Sequence, residues 1–159
     1  MTDYRELIRL LVDGRVEFIL VGGLAARAHG SSRFTDDLDI VYRRDYANVS
    51  RLVNCFAPLS PYLRGAPPGL PFQWQPEIIW KGLNFTLTTS LGPVDILGEI
   101  TLGGDYESLL PYSETLERFG KDCLCLGIRR LIEVKRAAGR PKDFEVIAEL
   151  QVILEEQSK

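Results

Sequence analysis

Residues 16–42 read VEFILVGGLAARAHGSSRFTDDLDIVY, in which two apolar segments flank a glycine pair and a group of carboxylates. The first segment, 16–21, is β-branched, aromatic and nearly all apolar, which predicts a strand covered on both faces. Gly22-Gly23 follows, residues 24–29 predict a short helix, and residues 38–42 predict a second strand. This order of elements favours an α/β or α+β fold with a mixed sheet flanked by helices.

Two carboxylates, Asp37 and Asp39, stand at the start of the second predicted strand. Residues i and i+2 of a strand point to the same face, which places these side chains about 7 Å apart at the backbone. Like charges this close repel each other unless a cation lies between them. Hard oxygen ligands favour Mg²⁺ or Mn²⁺, and two such ions about 4 Å apart can stabilise an in-line phosphoryl-type displacement.

Asp95 is a lone acid within the apolar strand predicted over residues 94–97, and it is the natural third carboxylate of the site. A buried acid without a partner would be costly, and a metal ion would remove that cost. Glycines between a strand and a helix let backbone N–H groups approach phosphates. Each motif alone is also typical of a plain turn or strand, whereas their ordered combination predicts a catalytic metal and phosphate site.

Three more residues are candidates for nucleotide contacts, namely Arg33, Thr35 and Lys135. Arg33 and Thr35 precede the carboxylates in the same loop, where Arg33 could pair with phosphate oxygens or simply with Asp36. Lys135 falls on the apolar face of a helix predicted over residues 128–138. An ammonium there either extends out to solvent or meets an anion such as a triphosphate, because burial without a partner is expensive.

The histidine and the serines of the first stretch carry weaker signals. His29 precedes Gly30 at a helix end, which favours packing or capping over a role as general base. Ser31 and Ser32 fit either a triphosphate contact or a turn.

The rest of the chain alternates strands and helices around one proline-rich segment. Six of the nine prolines lie between residues 57 and 76, which predicts a long irregular loop that is mobile or functional. The other predicted elements are a helix at 4–11, a helix at 49–56 capped by Asp45, strands at 78–80, 85–89 and 94–97, a helical turn at 106–110, a hairpin of 115–118 with 123–126, and helices at 128–138 and 141–155.

Length and composition indicate one ordered unit. The 159 residues can bury a core of their own, and we expect residues 1–110 to form the catalytic core, with a hairpin and small C-terminal helices (111–159) packed on it. The net charge of −3 excludes recognition by overall positive charge but not a local basic groove. Three cysteines, no long apolar run and no recognisable secretory leader predict a cytoplasmic protein without a membrane span.

The sequence motif of the first stretch, residues 16–42, resembles that of the DNA polymerase beta-like nucleotidyltransferase superfamily. Gly22-Gly23 is followed after thirteen residues by Asp37-Leu38-Asp39-Ile40. The pattern Gly-Gly-x-Ala-x-x-x-His-Gly, then Arg-x-Thr-x-Asp-Leu-Asp-Ile, is similar to the AbiEii-type branch and its short bacterial relatives. Residues 135–143 resemble the lysine-rich motif of that branch. Together the matched stretches, 16–42, 92–98 and 128–150, cover less than half of the chain.

The resemblance implies a nucleotidyltransferase fold and the transfer of a nucleoside monophosphate from an NTP to a hydroxyl, with pyrophosphate leaving. It implies that Asp37 and Asp39 bind Mg²⁺ or Mn²⁺, that Asp95 binds the metal nearest the acceptor and helps to activate it, and that Gly22 and Gly23 hold the triphosphate. AbiEii-type members are toxins of toxin–antitoxin pairs and some modify tRNA, whereas other members of the superfamily modify antibiotics.

Two features separate this chain from the AbiEii-type proteins. Those proteins are usually much larger, and both the short C-terminal part and the acidic net charge here argue against binding of a tRNA-sized acceptor. A partner protein such as an antitoxin, or a homodimer, could complete the site. The alternative function is a non-catalytic nucleotide-binding or regulatory module that retains the fold. The acceptor therefore stays open among RNA, protein and small molecule.

Overall fold

The computed structural model describes residues 1–102 and 104–159. The helices in this part of the chain are α1 (Tyr4–Asp13), α2 (Gly22–Ala28), α3 (Tyr46–Phe56), α4 (Pro76–Lys81), α5 (Tyr106–Leu109), α6 (Ile128–Ala138) and α7 (Pro141–Gln157), with 3₁₀ turns at Ala57–Leu59 and Leu110–Tyr112. The strands are β1 (Phe18–Val21), β2 (Leu38–Tyr42), β3 (Tyr62–Leu63), β4 (Asn84–Thr88), β5 (Val94–Leu97), β6 (Glu99–Ile100), β7 (Gly104–Asp105), β8 (Ser113–Arg118) and β9 (Lys121–Leu126).

Seven of these strands form one mixed sheet in the order β3-β4-β5-β2-β1-β9-β8, and β6 pairs with β7 apart from it. The β2–β5 and β1–β9 pairs are parallel, and the other neighbours in the sheet are antiparallel. The β2–β5 register sets Asp39 opposite Asp95 on adjacent strands. The mixed sheet flanked by helices confirms the fold class that the sequence predicts.

The core lies on both faces of the central strands. All four residues of β1 are buried, as its unbroken apolar sequence predicts. Helices α1, α3 and α6 each add one apolar stripe, and the fully or nearly fully buried residues of those stripes are Leu7, Ile8, Leu11, Val49, Leu52, Val53, Phe56, Leu131 and Ile132. Among the described residues, no helix is long and apolar enough to cross a membrane.

Several predicted element boundaries agree with the structure. Asp45 caps α3 and accepts a hydrogen bond from the backbone of Asn48 at 2.7 Å. The predicted hairpin is β8–β9. Gly139 ends α6 in a left-handed conformation, and Pro141 begins α7 one residue after its N-cap.

The prediction of a strand at residues 78–80 is wrong, because these residues belong to helix α4. A run of three apolar residues does not distinguish a strand from a helix, and Pro76 at the first helical position favours the helix. Only Ile79 is buried, and α4 packs on α3.

The proline-rich segment contains more structure than its composition indicates. It opens with a 3₁₀ turn, and β3 then pairs with β4 at the edge of the sheet. Its later residues lie against the body of the protein, where the Trp74 indole donates a hydrogen bond to the Val53 carbonyl at 2.8 Å. The prediction of an irregular path therefore fits residues 64–75. The sequence did not predict β3, which directly precedes Arg64 and so determines its position.

Candidate active site

Three carboxylates meet where β2 and β5 run side by side. One oxygen from each of Asp37, Asp39 and Asp95 lies within 4.8 Å of the other two. Asp39 and Asp95 are neighbours through the parallel register, and Asp37 directly precedes β2. A cluster of hard oxygen atoms of this kind suits a divalent cation such as Mg²⁺ or Mn²⁺.

The surroundings of Asp39 disfavour its charged form. Burial, and then the charges of Asp95 and Asp37, raise the pKa of Asp39 to about 8, and Lys135 acts in the opposite direction. Its Oδ1 atom is buried and finds no hydrogen-bond partner among the described residues. An orphaned carboxylate oxygen beside two further acids fits a metal ligand, so the residues present suit the Mg²⁺ or Mn²⁺ that the resemblance of the first stretch implies.

Gly22 has no room for a side chain. Its φ is +67°, and a Cβ there would overlap the Asp39 carboxylate. A Cβ on Gly23 would likewise overlap the Thr35 side chain. The glycine pair therefore lets the start of α2 approach the carboxylates and the preceding loop closely.

The loop that carries Asp37 is held by the N-terminal part of the chain. The Tyr4 hydroxyl donates to the Thr35 carbonyl at 2.7 Å and lies 3.4 Å from the Asp37 carbonyl. The Thr2 hydroxyl donates to the Asp36 carbonyl. These contacts fix the backbone immediately before β2, and sequence patterns give no sign of them.

Lys135 is buried although it carries an ammonium group, with a relative exposure of 7%. Burial lowers the pKa of Lys135, whereas the charges of Asp143 and Asp39 oppose this shift. Arg140 pairs with Asp143 at 2.8 Å and closes a capping box at the start of α7. Lys135 therefore lies near carboxylates and does not extend to solvent, which fits the second of the two alternatives that its place on an apolar helix face left open.

Two other candidates have partners on α7. Arg33 forms an ion pair with Glu145 at 2.7 Å, rather than the Asp36 pair considered from the sequence. The Ser31 hydroxyl donates to Glu149, and the Ser32 backbone and hydroxyl donate to the same carboxylate at 3.0 and 2.9 Å. The two serines thus attach the turn after α2 to helix α7.

His29, the remaining candidate of the first stretch, contacts the backbone of a neighbouring strand, and two of the three cysteines lie in the core. His29 caps the end of α2, and its Nε2 lies 2.8 Å from the Leu126 carbonyl, in line with packing rather than catalysis. Cys123 and Cys125 are buried, and burial raises their thiol pKa values to about 11 and about 12.

Two cavities open on the carboxylate cluster. The first has a volume of about 660 Å³ and lies between β5, β6 and α6. The second, of about 540 Å³, lies between the loop before β2 and the start of α7. Gly22, Asp39, Asp95, Lys135 and Arg140 line both. The second cavity is lined by all eight site residues that the sequence predicts, which are Gly22, Gly23, Arg33, Thr35, Asp37, Asp39, Asp95 and Lys135.

Arg64 is a member of the site that sequence reasoning missed. It follows β3, and its Nη2 lies 2.7 Å from Asp95 Oδ1. Its Nη1 lies 3.8 Å from Asp37 Oδ2. A single arginine in a proline-rich segment gives no sequence signal, and only the pairing of β3 with β4 brings it to the carboxylates.

Comparison with solved structures assigns the architecture. The crystal structure of the lincosamide antibiotic adenylyltransferase LnuA with lincomycin bound is similar, with a TM-score of 0.65 at 14% identity over 96% of this chain and 98% of that chain. The chain has a nucleotidyltransferase fold. A provisionally assigned nucleotidyltransferase from Thermotoga maritima has a TM-score of 0.55 at 17% identity over 94% of each chain.

Comparison of the sequence alone gives no match. No family model and no curated protein matches the chain. The structural neighbours share the fold of this chain, and they carry nothing specific to the AbiEii-type branch.

Proposed function

We propose that this protein is a metal-dependent nucleotidyltransferase that moves a nucleoside monophosphate from an NTP to an acceptor hydroxyl. The observation that carries the proposal is the cluster of Asp37, Asp39 and Asp95 on a nucleotidyltransferase fold, with an unpartnered Asp39 oxygen. Both structural neighbours are described as nucleotidyltransferases.

The three carboxylates are the residues that would hold Mg²⁺ or Mn²⁺. A bound divalent ion supplies charge stabilisation at the reacting phosphorus and lowers the pKa of the acceptor hydroxyl. Asp95, at the β5 side of the cluster, would receive the hydrogen bond of that hydroxyl. Lys135, whose own side chain is buried, would neutralise phosphate oxygens.

The two cavities suggest how the substrates enter. In-line displacement requires the attacking and leaving oxygens on opposite sides of the phosphorus atom. We assign the triphosphate to the second cavity, which Gly22 and Gly23 line together with Lys142. Arg33 and Arg140 also line it, each paired with a carboxylate of α7. The acceptor would then enter through the first cavity, beside Asp95.

A small molecule is the acceptor that the first cavity fits best. Its volume of about 660 Å³ is typical of drug-sized ligands. Its walls combine apolar groups such as Leu97, Ile100 and Val134 with the polar Asn84 and Glu99. The acidic net charge gives little support to an RNA acceptor. LnuA binds lincomycin, which makes lincomycin a sensible first probe.

A toxin role with an antitoxin partner, or assembly as a homodimer, belongs to the same proposal but has less support. The cytoplasm, where nucleoside triphosphates are made, is the expected location.

Expression of the wild-type protein and of Asp37→Asn in a bacterial host distinguishes a toxin from an antibiotic-modifying enzyme. Slowed growth that depends on Asp37 favours a toxin, and resistance that depends on Asp37 favours modification of an antibiotic.

The direct test is transfer of label from α-phosphate-labelled NTPs. The purified protein with Mg²⁺ is incubated with each NTP and with lincomycin, bulk tRNA or a cell extract. We expect labelling of one acceptor class and release of pyrophosphate, both abolished by Asp37→Asn and Asp39→Asn. Absence of nucleotide binding and of labelling under all conditions would contradict the proposal and favour the non-catalytic module.

A further inference from the structure

Arg64 brings a positive charge directly onto the carboxylate cluster. Besides the 2.7 Å contact with Asp95, the same Nη2 donates to the Leu87 carbonyl at 2.8 Å. The Arg64 backbone N–H donates to the Thr86 carbonyl at 2.9 Å, which continues the β3–β4 ladder. Arg64 is therefore held on β4 by both its backbone and its guanidinium, and the guanidinium also contacts Asp95 of β5.

The charge balance of the site explains why an arginine is tolerated there. Three carboxylates within 4.8 Å repel each other, and the Arg64 guanidinium offsets part of that repulsion. Side-chain exposures of 31% for Arg64 and 19% for Asp95 leave this pair less screened than a surface ion pair. The Arg64 Nε is buried and finds no partner among the described residues, so the side chain does not have all its donors satisfied.

We propose that Arg64 is an internal counter-cation of the metal site, which competes with a divalent ion for Asp95 and Asp37. It is a positioning residue that sets metal affinity through these two carboxylates. A divalent ion and a guanidinium repel each other at this distance, so metal binding weakens the Arg64–Asp95 pair. The inference rests on the proposed function, because it requires that the carboxylates hold a metal.

The test is the affinity for Mn²⁺ alone, measured by electron paramagnetic resonance of free Mn²⁺ during titration. We expect Arg64→Gln to bind Mn²⁺ at least about fivefold more tightly than wild type, because the competing charge is gone. Arg64→Lys keeps the positive charge but cannot contact Asp95 and Asp37 through two separate nitrogens. We expect its Mn²⁺ affinity to lie between those of wild type and Arg64→Gln. If Arg64→Gln does not fold, tighter binding by Arg64→Lys alone still supports the proposal.

A matched control removes another paired arginine. Arg43 pairs with Glu17, Asp45 and Glu107 at the other end of β2, and Arg43→Gln should leave the Mn²⁺ affinity unchanged. Thermal unfolding gives a second readout. In the presence of a chelator, Arg64→Gln should melt below wild type, and added Mn²⁺ should raise its melting temperature by more than it raises that of wild type.

Two results would overturn the inference. Unchanged or weaker Mn²⁺ binding by Arg64→Gln would show that Arg64 supports the ligands rather than competing for them, and would leave the proposed function intact. No Mn²⁺ binding by wild type or by either variant would count against both the inference and the metal-dependent function.

Discussion

Asp39 carries an electrostatic cost that only a proton or a cation can relieve. Its folded-state pKa of about 8 lies above the ordinary value of 3.8, so the folded protein holds a proton there that the unfolded chain releases. The contribution of Asp39 to stability is therefore greatest at low pH and declines as the pH rises from about 4 to about 8. Above that window the metal-free protein carries the full repulsion.

Asp39→Asn should stabilise the metal-free protein at pH 8 by about 1 to 3 kcal/mol, because the amide removes a buried charge. The gain should shrink at pH 4. Urea unfolding with a chelator at both pH values measures it, and Asp122→Asn on the exposed part of β9 is the control. An equal effect of Asp39→Asn at both pH values would contradict the assignment of the raised pKa.

Gly22→Ala should lower stability and abolish nucleotide transfer, because its Cβ would displace the Asp39 carboxylate. Gly120→Ala is a matched control, since Gly120 has a similar φ of +83° and, among the described residues, its Cβ would meet nothing within 4 Å. We expect Gly22→Ala to cost roughly 1 to 3 kcal/mol more than the control. Chemical denaturation of both variants measures the difference, and equal losses would show backbone strain alone.

Lys135→Met should weaken ATP–Mg²⁺ binding by at least about tenfold, since the buried ammonium is assigned to the triphosphate. Thermal stability should be maintained or raised, because burial of that ammonium is costly. Calorimetric titration and thermal unfolding measure the two effects. Arg136→Met on the exposed side of α6 should change neither, and unaltered ATP binding by Lys135→Met would refute the role.

Helix α7 holds the start of the loop before β2 through Glu149. That carboxylate accepts hydrogen bonds from Ser31 and Ser32, so Glu149→Ala should raise the KM for the NTP severalfold with a small change in kcat. Steady-state kinetics checks this, with Glu156→Ala near the end of the same helix as control. A loss confined to kcat would place Glu149 in another role.

The elements that carry the site differ in how far the sequence predicts them. Strand β1 is predictable from its unbroken apolar run, and the turn after it from its glycine pair. Strand β2 and Asp95 of β5 are predictable because carboxylates interrupt an otherwise apolar pattern. Lys135 is predictable for the same reason, as a charge on an apolar helix face. Their metal and nucleotide roles are still predictions.

Other elements have no such local pattern. Helix α4 is short enough that its apolar run reads equally as a strand, and β3 is a two-residue edge strand among prolines. Arg64 and Tyr4 reach the site only through long-range pairing and packing. The partners of Arg33 and Ser31 lie on α7, more than a hundred residues away, and no local spacing indicates them.

The molecule should unfold as one unit, in keeping with the prediction that residues 111–159 pack on the core of residues 1–110. β9 lies between β1 and β8 within the sheet, and α6 supplies Lys135 to the site. We expect a single transition in which tryptophan fluorescence, which reports on Trp74 and Trp80 in the first part, coincides with helical circular dichroism. Separate midpoints would indicate two domains.

The parallel β1–β9 pair also has a consequence for synthesis on the ribosome. Ile19 and Leu20 pair with Leu124 and Cys125, so one edge of the wholly apolar β1 has no partner until about 100 further residues have been translated. At about 5 to 20 residues per second that interval lasts seconds. A nascent chain of this protein therefore exposes an unpaired, aggregation-prone strand edge for most of its elongation, and we expect chaperones that cover this edge to raise its yield in cells.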